Sequence, residues 1–247
     1  MADASNENAA KKPLDAILAR IGRKFDASFE PLSVDGSDLQ VLSINNMQAY
    51  LDALINSKAI KNPLKDLPLW AKIWPASFVL GRYLRKFGPE GKSLLEIGCG
   101  CGICGLVAAV HGFAKITMGD IVDDALDFAR ANILRNNLEE KAQARFLDVT
   151  GNDNIPPHDI IAASEILYLD ELHRPLLKFI HRTLAPGGRA VFCTDLARAK
   201  PRFAKLAKEK FRVSENRIGV KAIDEEGKSR VRGYEILILE RKTDAKM

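Results

Sequence analysis

Twelve residues, Leu94-Leu-Glu-Ile-Gly-Cys-Gly-Cys-Gly-Ile-Cys-Gly105, carry the densest chemical signal in this 247-residue chain. An apolar run enters Gly98, Gly100 and Gly102, and a helical pattern follows at once. Glycines at such a bend let the backbone turn sharply and let a ligand lie directly against it. The free N–H groups of the helix start favour a negatively charged group nearby. Counted from Gly98, Ile103 stands where a G-x-G-x-x-G run needs its third glycine; counted from Gly100 the run fits. Asp120 ends the next apolar run, 22 positions after Gly98, where a carboxylate can accept both hydroxyls of a ribose. Spacing alone thus admits a nicotinamide dinucleotide or another nucleoside. Glu96 discriminates better, two residues before the first glycine. A carboxylate there suits a ligand bearing an ammonium group, as S-adenosylmethionine does, and would repel a pyrophosphate.

These groups need a frame. Runs Ser93–Ile97, Ala114–Gly119, Ala144–Leu147, Asp159–Ser164 and Arg189–Thr194 read as strands. Helical patterns fall at Ser77–Phe87, Gly102–His111, Asp123–Asn136 and Glu171–Leu184. Strands alternating with helices of ten to fifteen residues predict a parallel sheet of βαβ units. The end differs: helix Arg202–Phe211, then strands Arg212–Val220 and Gly233–Glu240 around the turn Asp224-Glu-Glu-Gly-Lys228. Two strands joined by a turn pair antiparallel, so a hairpin is expected at one sheet edge. Residues 1–65 read as an N-terminal α+β extension of a domain spanning 66–247. It has a disordered start to Lys12, a helix Leu14–Phe25, a hairpin turning at Val34-Asp-Gly-Ser37, and a helix Asn45–Ile60.

No apolar stretch approaches the roughly 18 residues that span a bilayer, and Met1–Lys12 lacks the apolar core of a signal peptide. A cytoplasmic protein with no membrane partner is expected. Cys99, Cys101 and Cys104 crowd the glycine run and read as reduced loop residues. Cys101 and Cys104 form a C-x-x-C that admits a redox or metal reading, but no second Cys or His pair has matching spacing, so no metal site is expected. Cys193, inside a strand, offers no nucleophile. His173 reads as a solvated helix histidine, with a base as the sharper alternative. The last fifty residues hold 15 Lys/Arg against 8 Asp/Glu. Such a region faces water as a helix and hairpin, or meets an acidic protein or nucleic acid.

The glycine run with its leading Glu96, the Asp120 position and the segment Asp159–Tyr168 together resemble class I S-adenosylmethionine-dependent methyltransferases, over roughly residues 66–197. The resemblance implies a Rossmann-like, doubly wound α/β sheet of seven strands, the last antiparallel. It implies S-adenosyl-L-methionine as cofactor, with Gly98, Cys99 and Gly100 at the loop, Glu96 on the amino group and Asp120 on the ribose. Asp148, after the third strand of the domain, would accept the adenine amino group.

A narrower resemblance rests on Leu69-Trp-Ala-Lys-Ile-Trp-Pro-Ala-Ser-Phe-Val-Leu-Gly-Arg-Tyr-Leu84 and on Ser164-Glu-Ile-Leu-Tyr168. Both are similar to segments of the seven-β-strand protein lysine methyltransferases, especially the branch that modifies the electron-transfer flavoprotein β subunit. The resemblance implies that Trp74 and Ser164 touch the cofactor, and that Glu165 and Tyr168 form an acid-x-x-aromatic catalytic pair. A lysine ammonium has no lone pair and must lose a proton before it attacks. A carboxylate can hold and orient it, and an aromatic ring can flank it. The implied partner is a protein carrying a target lysine. Methylation of RNA or a small molecule, and a cofactor-binding module without turnover, stand as alternatives. The Asn/Asp-Pro-Pro-Tyr segment of nucleobase and glutamine methyltransferases is absent, and the position nine after Glu165 is Arg174, not the second glutamate of arginine methyltransferases.

Overall fold

The structure, a computed structural model, describes residues 4–57, 60–61, 67–151, 154–223 and 229–242. Its first elements are helix α1 (Ala4–Ile21), the hairpin β1 (Ala27–Val34) and β2 (Ser37–Ile44), and helix α2 (Met47–Asn56). Helix α1 begins upstream of the Leu14 start that periodicity suggests, and continues through Pro13. The hairpin closes on Asp35 and Gly36, both at positive φ, the backbone sense that matches the twist of paired strands.

The remaining elements are α3 (Pro75–Leu84), β3 (Ser93–Ile97), α4 (Ile103–Val110), β4 (Lys115–Asp120), α5 (Asp123–Arg135), β5 (Ala142–Phe146), β6 (His158–Ser164), α6 (His173–Thr183), β7 (Leu184–Asp195), α7 (Pro201–Ala207), β8 (Phe211–Ile223) and β9 (Ser229–Arg241). They build a seven-stranded mixed sheet in the order β5-β4-β3-β6-β7-β9-β8. The strands from β5 to β7 run parallel; β9 lies antiparallel between β7 and β8. The expected turn at Asp224–Lys228 falls outside the described residues. Strand β7 takes in Ala185-Pro-Gly-Gly, upstream of the Arg189 start that the sequence suggests; the pairing with β6 shifts register there.

Side-chain alternation along the strands explains the two layers. Leu94, Ile160 and Ala162 face α3, α4 and α5, joining Leu80, Val107 and Leu126. Leu95, Ile97, Ile161 and Ala163 face α6 and α7, joining Phe179, Ile180 and Phe203. A period of two on each strand sends neighbouring residues to opposite faces, so both faces are apolar and both are covered.

The N-terminal elements pack on α5 through Ile17, Ile21, Leu42, Ile44 and Phe128. One polar residue locks the arrangement. Asn132, fully buried, accepts the Leu42 N–H at 2.7 Å and donates to the Cys101 carbonyl at 2.8 Å. It thereby ties β2 to the glycine loop. Asn132→Ala leaves a buried donor and a buried acceptor unpaired, which is expected to destabilise the fold by about 2–4 kcal/mol. Urea denaturation with an unchanged slope would register it as a lower midpoint.

Candidate active site

A cavity of about 620 Å³ opens where β3, β4, β6 and β7 end. Open parallel sheets place ligands at this end of their strands, and the volume suits a small-molecule cofactor. The walls come from Leu69–Ser77, the glycine loop, Asp120 at the end of β4, Ser164–Tyr168, and the segment from Thr194 near the end of β7 to Lys200.

The loop follows from its sequence. Gly98, Gly100 and Gly102 all have positive φ. At Gly100 a Cβ would stand 2.7 Å from the Trp70 carbonyl oxygen, so the backbone passes where no side chain fits. The Cys99 N–H donates to the Gly119 carbonyl, and the Gly100 N–H to Oδ2 of Asp120 at 2.9 Å. Trp70 stacks edge-on against Phe25 and Phe128, so its carbonyl is held by the N-terminal packing.

Most of the sequence-predicted site residues meet at this cavity: Trp74, Gly98, Cys99, Gly100, Asp120, Ser164, Glu165 and Tyr168 all line it. Asp120 is 7% exposed; its other oxygen accepts the Val122 N–H at 3.0 Å. Burial raises its pKa, opposed by the N–H groups of Gly100, Val122 and Ile121. With three N–H groups on its two oxygens, the carboxylate keeps a lone pair for a hydroxyl donor. The Trp74 indole donates to the Leu69 carbonyl at 3.0 Å, which fixes the ring on the cavity wall. Ser77 and Ser164 share a buried hydrogen bond of 2.9 Å.

Two predicted residues do not line the cavity. Glu96 lies behind the loop, 1% exposed, with Oε2 accepting the Gly105 N–H at 2.9 Å. Alternation along β3 puts it on the same face as Leu94, against the start of α4. Burial pushes its pKa up to about 8, against the pull of the Gly105 hydrogen bond. A carboxyl protonated at neutral pH neither repels a pyrophosphate nor holds an ammonium, so the charge argument drawn from this position does not reach the cavity. Asp148 instead accepts from the N–H and hydroxyl of Thr150, closing an Asx-turn that lowers its pKa.

The Glu96 geometry makes a pH prediction. The folded chain holds this proton up to about pH 8, whereas an unfolded glutamate releases it near 4.5. The folded state therefore binds more protons in that window, and stability falls as pH rises through it. Glu96→Gln keeps an acceptor for Gly105 without the charge. It is expected to be more stable than the parent at pH 8.5, by up to about 4–5 kcal/mol, with the difference vanishing near pH 4.5. Cofactor affinity should be unchanged; a large loss would restore Glu96 as a direct contact.

At the other end of the cavity Glu165 adopts φ 55°, a left-handed conformation uncommon outside glycine and frequent at functional sites. Its Oε1 accepts the Asp195 N–H at 2.9 Å. Arg198 grips both oxygens, Nε to Oε2 at 2.9 Å and Nη2 to Oε1 at 2.7 Å. The Arg198 guanidinium also lies 5.1 Å from the centre of the Trp74 ring, and the Lys72 ammonium 4.7 Å. Tyr168 is 39% exposed; burial of its hydroxyl, with Asp120 nearby, raises its pKa, so the phenol stays protonated at neutral pH.

Arg198 was not legible in the sequence as a site residue, being 33 positions from Glu165 in a chain rich in arginine. Ser77, Lys72 and Thr194 were likewise missed. His173 is neither solvated nor in the cavity: it is 1% exposed, with Nε2 2.9 Å from the Leu167 carbonyl oxygen and its ring edge-on to Phe203. The four cysteines are buried free thiols, and burial pushes that of Cys101 up to about 12. Among the described residues no cluster of His, Cys, Asp or Glu is placed to hold a metal, and no helix is long and apolar enough to cross a membrane.

Residues 59–210 match the family described as Lysine methyltransferase. The Protein N-lysine methyltransferase METTL21A of Danio rerio is 30% identical over 161 residues, 61% of this chain and 72% of that protein. The Electron transfer flavoprotein beta subunit lysine methyltransferase of Xenopus laevis is also 30% identical, over 139 residues, 54% of each chain. The chain thus spans about half to three quarters of the length of these two relatives. Equal identity to both identifies the family rather than one branch. A SAM-dependent methyltransferase from Agrobacterium tumefaciens superposes with a TM-score of 0.60, covering 91% of this chain and 80% of its own at 18% identity, a likeness of fold.

Proposed function

This chain belongs to the lysine methyltransferase family, and on that premise we propose that it methylates the side-chain amine of a lysine in a protein substrate by direct in-line displacement. The family is S-adenosylmethionine-dependent. One observation carries the assignment: one cavity is lined by a buried ribose-type acid, Asp120, a glycine loop, and an acid-aromatic pair, Glu165 and Tyr168. When bound, S-adenosylmethionine supplies a methyl group on a positively charged sulfur.

The cavity fits such a group. The Gly98–Gly100 backbone bends where a Cβ would strike Ile166 and the Trp70 carbonyl, so the loop lines the cavity with bare backbone. Asp120 keeps a lone pair for a ribose hydroxyl, and Trp74 offers an aromatic wall. Ser77 and Ser164 add hydroxyls between the two ends. In this assignment Glu96 supports the loop through Gly105, and Asp148 closes the turn at Thr150 through Oδ1, leaving Oδ2 to accept the adenine amino group. The extension to residue 65 acts as a brace for the loop, through Asn132 and Trp70.

On the acceptor side, Glu165 and Tyr168 orient the incoming amine, and Tyr168, half in water, lets the ammonium release its proton to solvent before attack. Rate then comes from alignment, an effect worth up to about 7–11 kcal/mol. Purified protein incubated with a cell lysate and methyl-tritiated S-adenosylmethionine should label protein, with mass spectrometry placing the methyl on lysine. Label confined to RNA, to small molecules or to arginine would refute the proposal.

A further inference from the structure

We infer that Arg198 is a specificity-determining residue: it occupies Glu165 in the free protein and turns to an acidic side chain beside the target lysine when substrate binds. This rests on the reading of the site as an acceptor for protein lysine.

A carboxylate offers about four lone-pair positions. Glu165 spends three, on the Asp195 N–H and on two donors of Arg198. A lysine ammonium carries three donors and would find a single position open. It would also meet a fixed positive charge. Like charges at such close range repel. Arg198 must therefore yield, and its surroundings permit this. Its side chain is 39% exposed and rests against the Trp74 ring, whereas Glu165 is 7% exposed and anchored by backbone. The arginine is the movable half of the pair.

Once released, Arg198 needs an anion, and its own chain has little to give. Asp195 is committed to Arg232 at 2.5 Å and stands 3.7 Å from Arg198. Asp170 is shared between Lys200 at 3.4 Å and Arg202 at 3.7 Å. Lys72, on the opposite wall, has no acidic partner among the described residues and lies over Trp74. Away from Asp120, the charged side chains that line the cavity are Lys72, Arg198 and Lys200 against Glu165 alone. A substrate that delivers one lysine and at least one neighbouring carboxylate balances this end. The exchange conserves charge: the target ammonium takes Glu165, and the substrate acid takes Arg198. The substrate class is a lysine set among acidic residues.

The test begins with the lysine sites labelled in a lysate by the parent protein, which should carry an Asp or Glu close to the target. The best-labelled protein is then made with that acid replaced by its amide. For the parent, KM should rise about tenfold with kcat nearly constant, and added salt should shrink the difference. For Arg198→Gln the two acceptors should give the same KM, and for Arg198→Lys, which keeps a charge but loses the fork, an intermediate ratio. A parent indifferent to the substitution, or an Arg198→Gln variant as sensitive to it as the parent, overturns the inference and leaves lysine methylation standing. Label on no lysine at all overturns the proposed function, and this inference with it.

Discussion

Gly100→Val is expected to weaken S-adenosylmethionine binding by about a hundredfold while leaving the protein folded. Gly100 has φ 52°, a region in which a β-branched residue is strained by about 1–3 kcal/mol. The added Cβ would also stand 2.7 Å from the Trp70 carbonyl oxygen. That oxygen is backbone, and its residue is wedged between Phe25 and Phe128, so it cannot give way as a flexible side-chain tip would. The loop must relax outward, which removes the Gly100 N–H from Asp120 and spills into the space where a ligand would lie. Restoring the bound shape then costs about 3 kcal/mol, and each 1.4 kcal/mol is a factor of ten in affinity. Calorimetric titration reads the loss, and circular dichroism checks the fold. A valine variant binding within threefold of the parent would show that the cofactor does not lie against this loop.

The loop was legible because its signal is local. Glycine at three alternate positions after an apolar strand marks a bend whatever the rest of the chain does, and the βαβ alternation that frames it predicts the parallel sheet. Asp35-Gly36 announces its hairpin in the same way. What sequence could not show is where side chains terminate across long separations. Asn132 reads as an ordinary polar residue of a helix, yet it joins Leu42 to Cys101. Glu96 was legible in part: parity with Leu94 points it at the helix face, and the free N–H groups of α4 begin directly above. Chemical type alone suggested a ligand contact, while the structure shows the side chain buried against the Gly105 N–H. Asp148-Val-Thr-Gly carries its own turn chemistry, which takes one carboxylate oxygen for Thr150 and leaves the other free. Glu165 was found by type and position, but its bidentate partner Arg198 depends on the chain after β7 folding back over β6, a tertiary fact that no spacing encodes.

That partnership shapes the expected result at Glu165. Glu165→Gln should lower kcat by about a hundredfold or more, in the range that removal of a positioned acid-base group produces, with cofactor affinity held within threefold. Geometry separates the two effects. Asp120 and the glycine loop keep every hydrogen bond they have, since none of them involves Glu165. The amide, by contrast, keeps one acceptor oxygen and turns the other into a donor. It then faces the donors of Arg198 and the Asp195 N–H with too few lone pairs, so the fork or the backbone contact is lost. The acceptor end of the cavity wall is left with Lys72, Arg198 and Lys200 and without its one carboxylate. An arriving ammonium is repelled, whereas a neutral amine is not. Free lysine side chains titrate near 10.4, so the deficit should shrink between pH 7.5 and pH 9.5 as more of the acceptor arrives uncharged. A merely structural glutamate would give a deficit independent of pH, and equal losses of kcat and cofactor affinity would place Glu165 on the cofactor rather than on the amine.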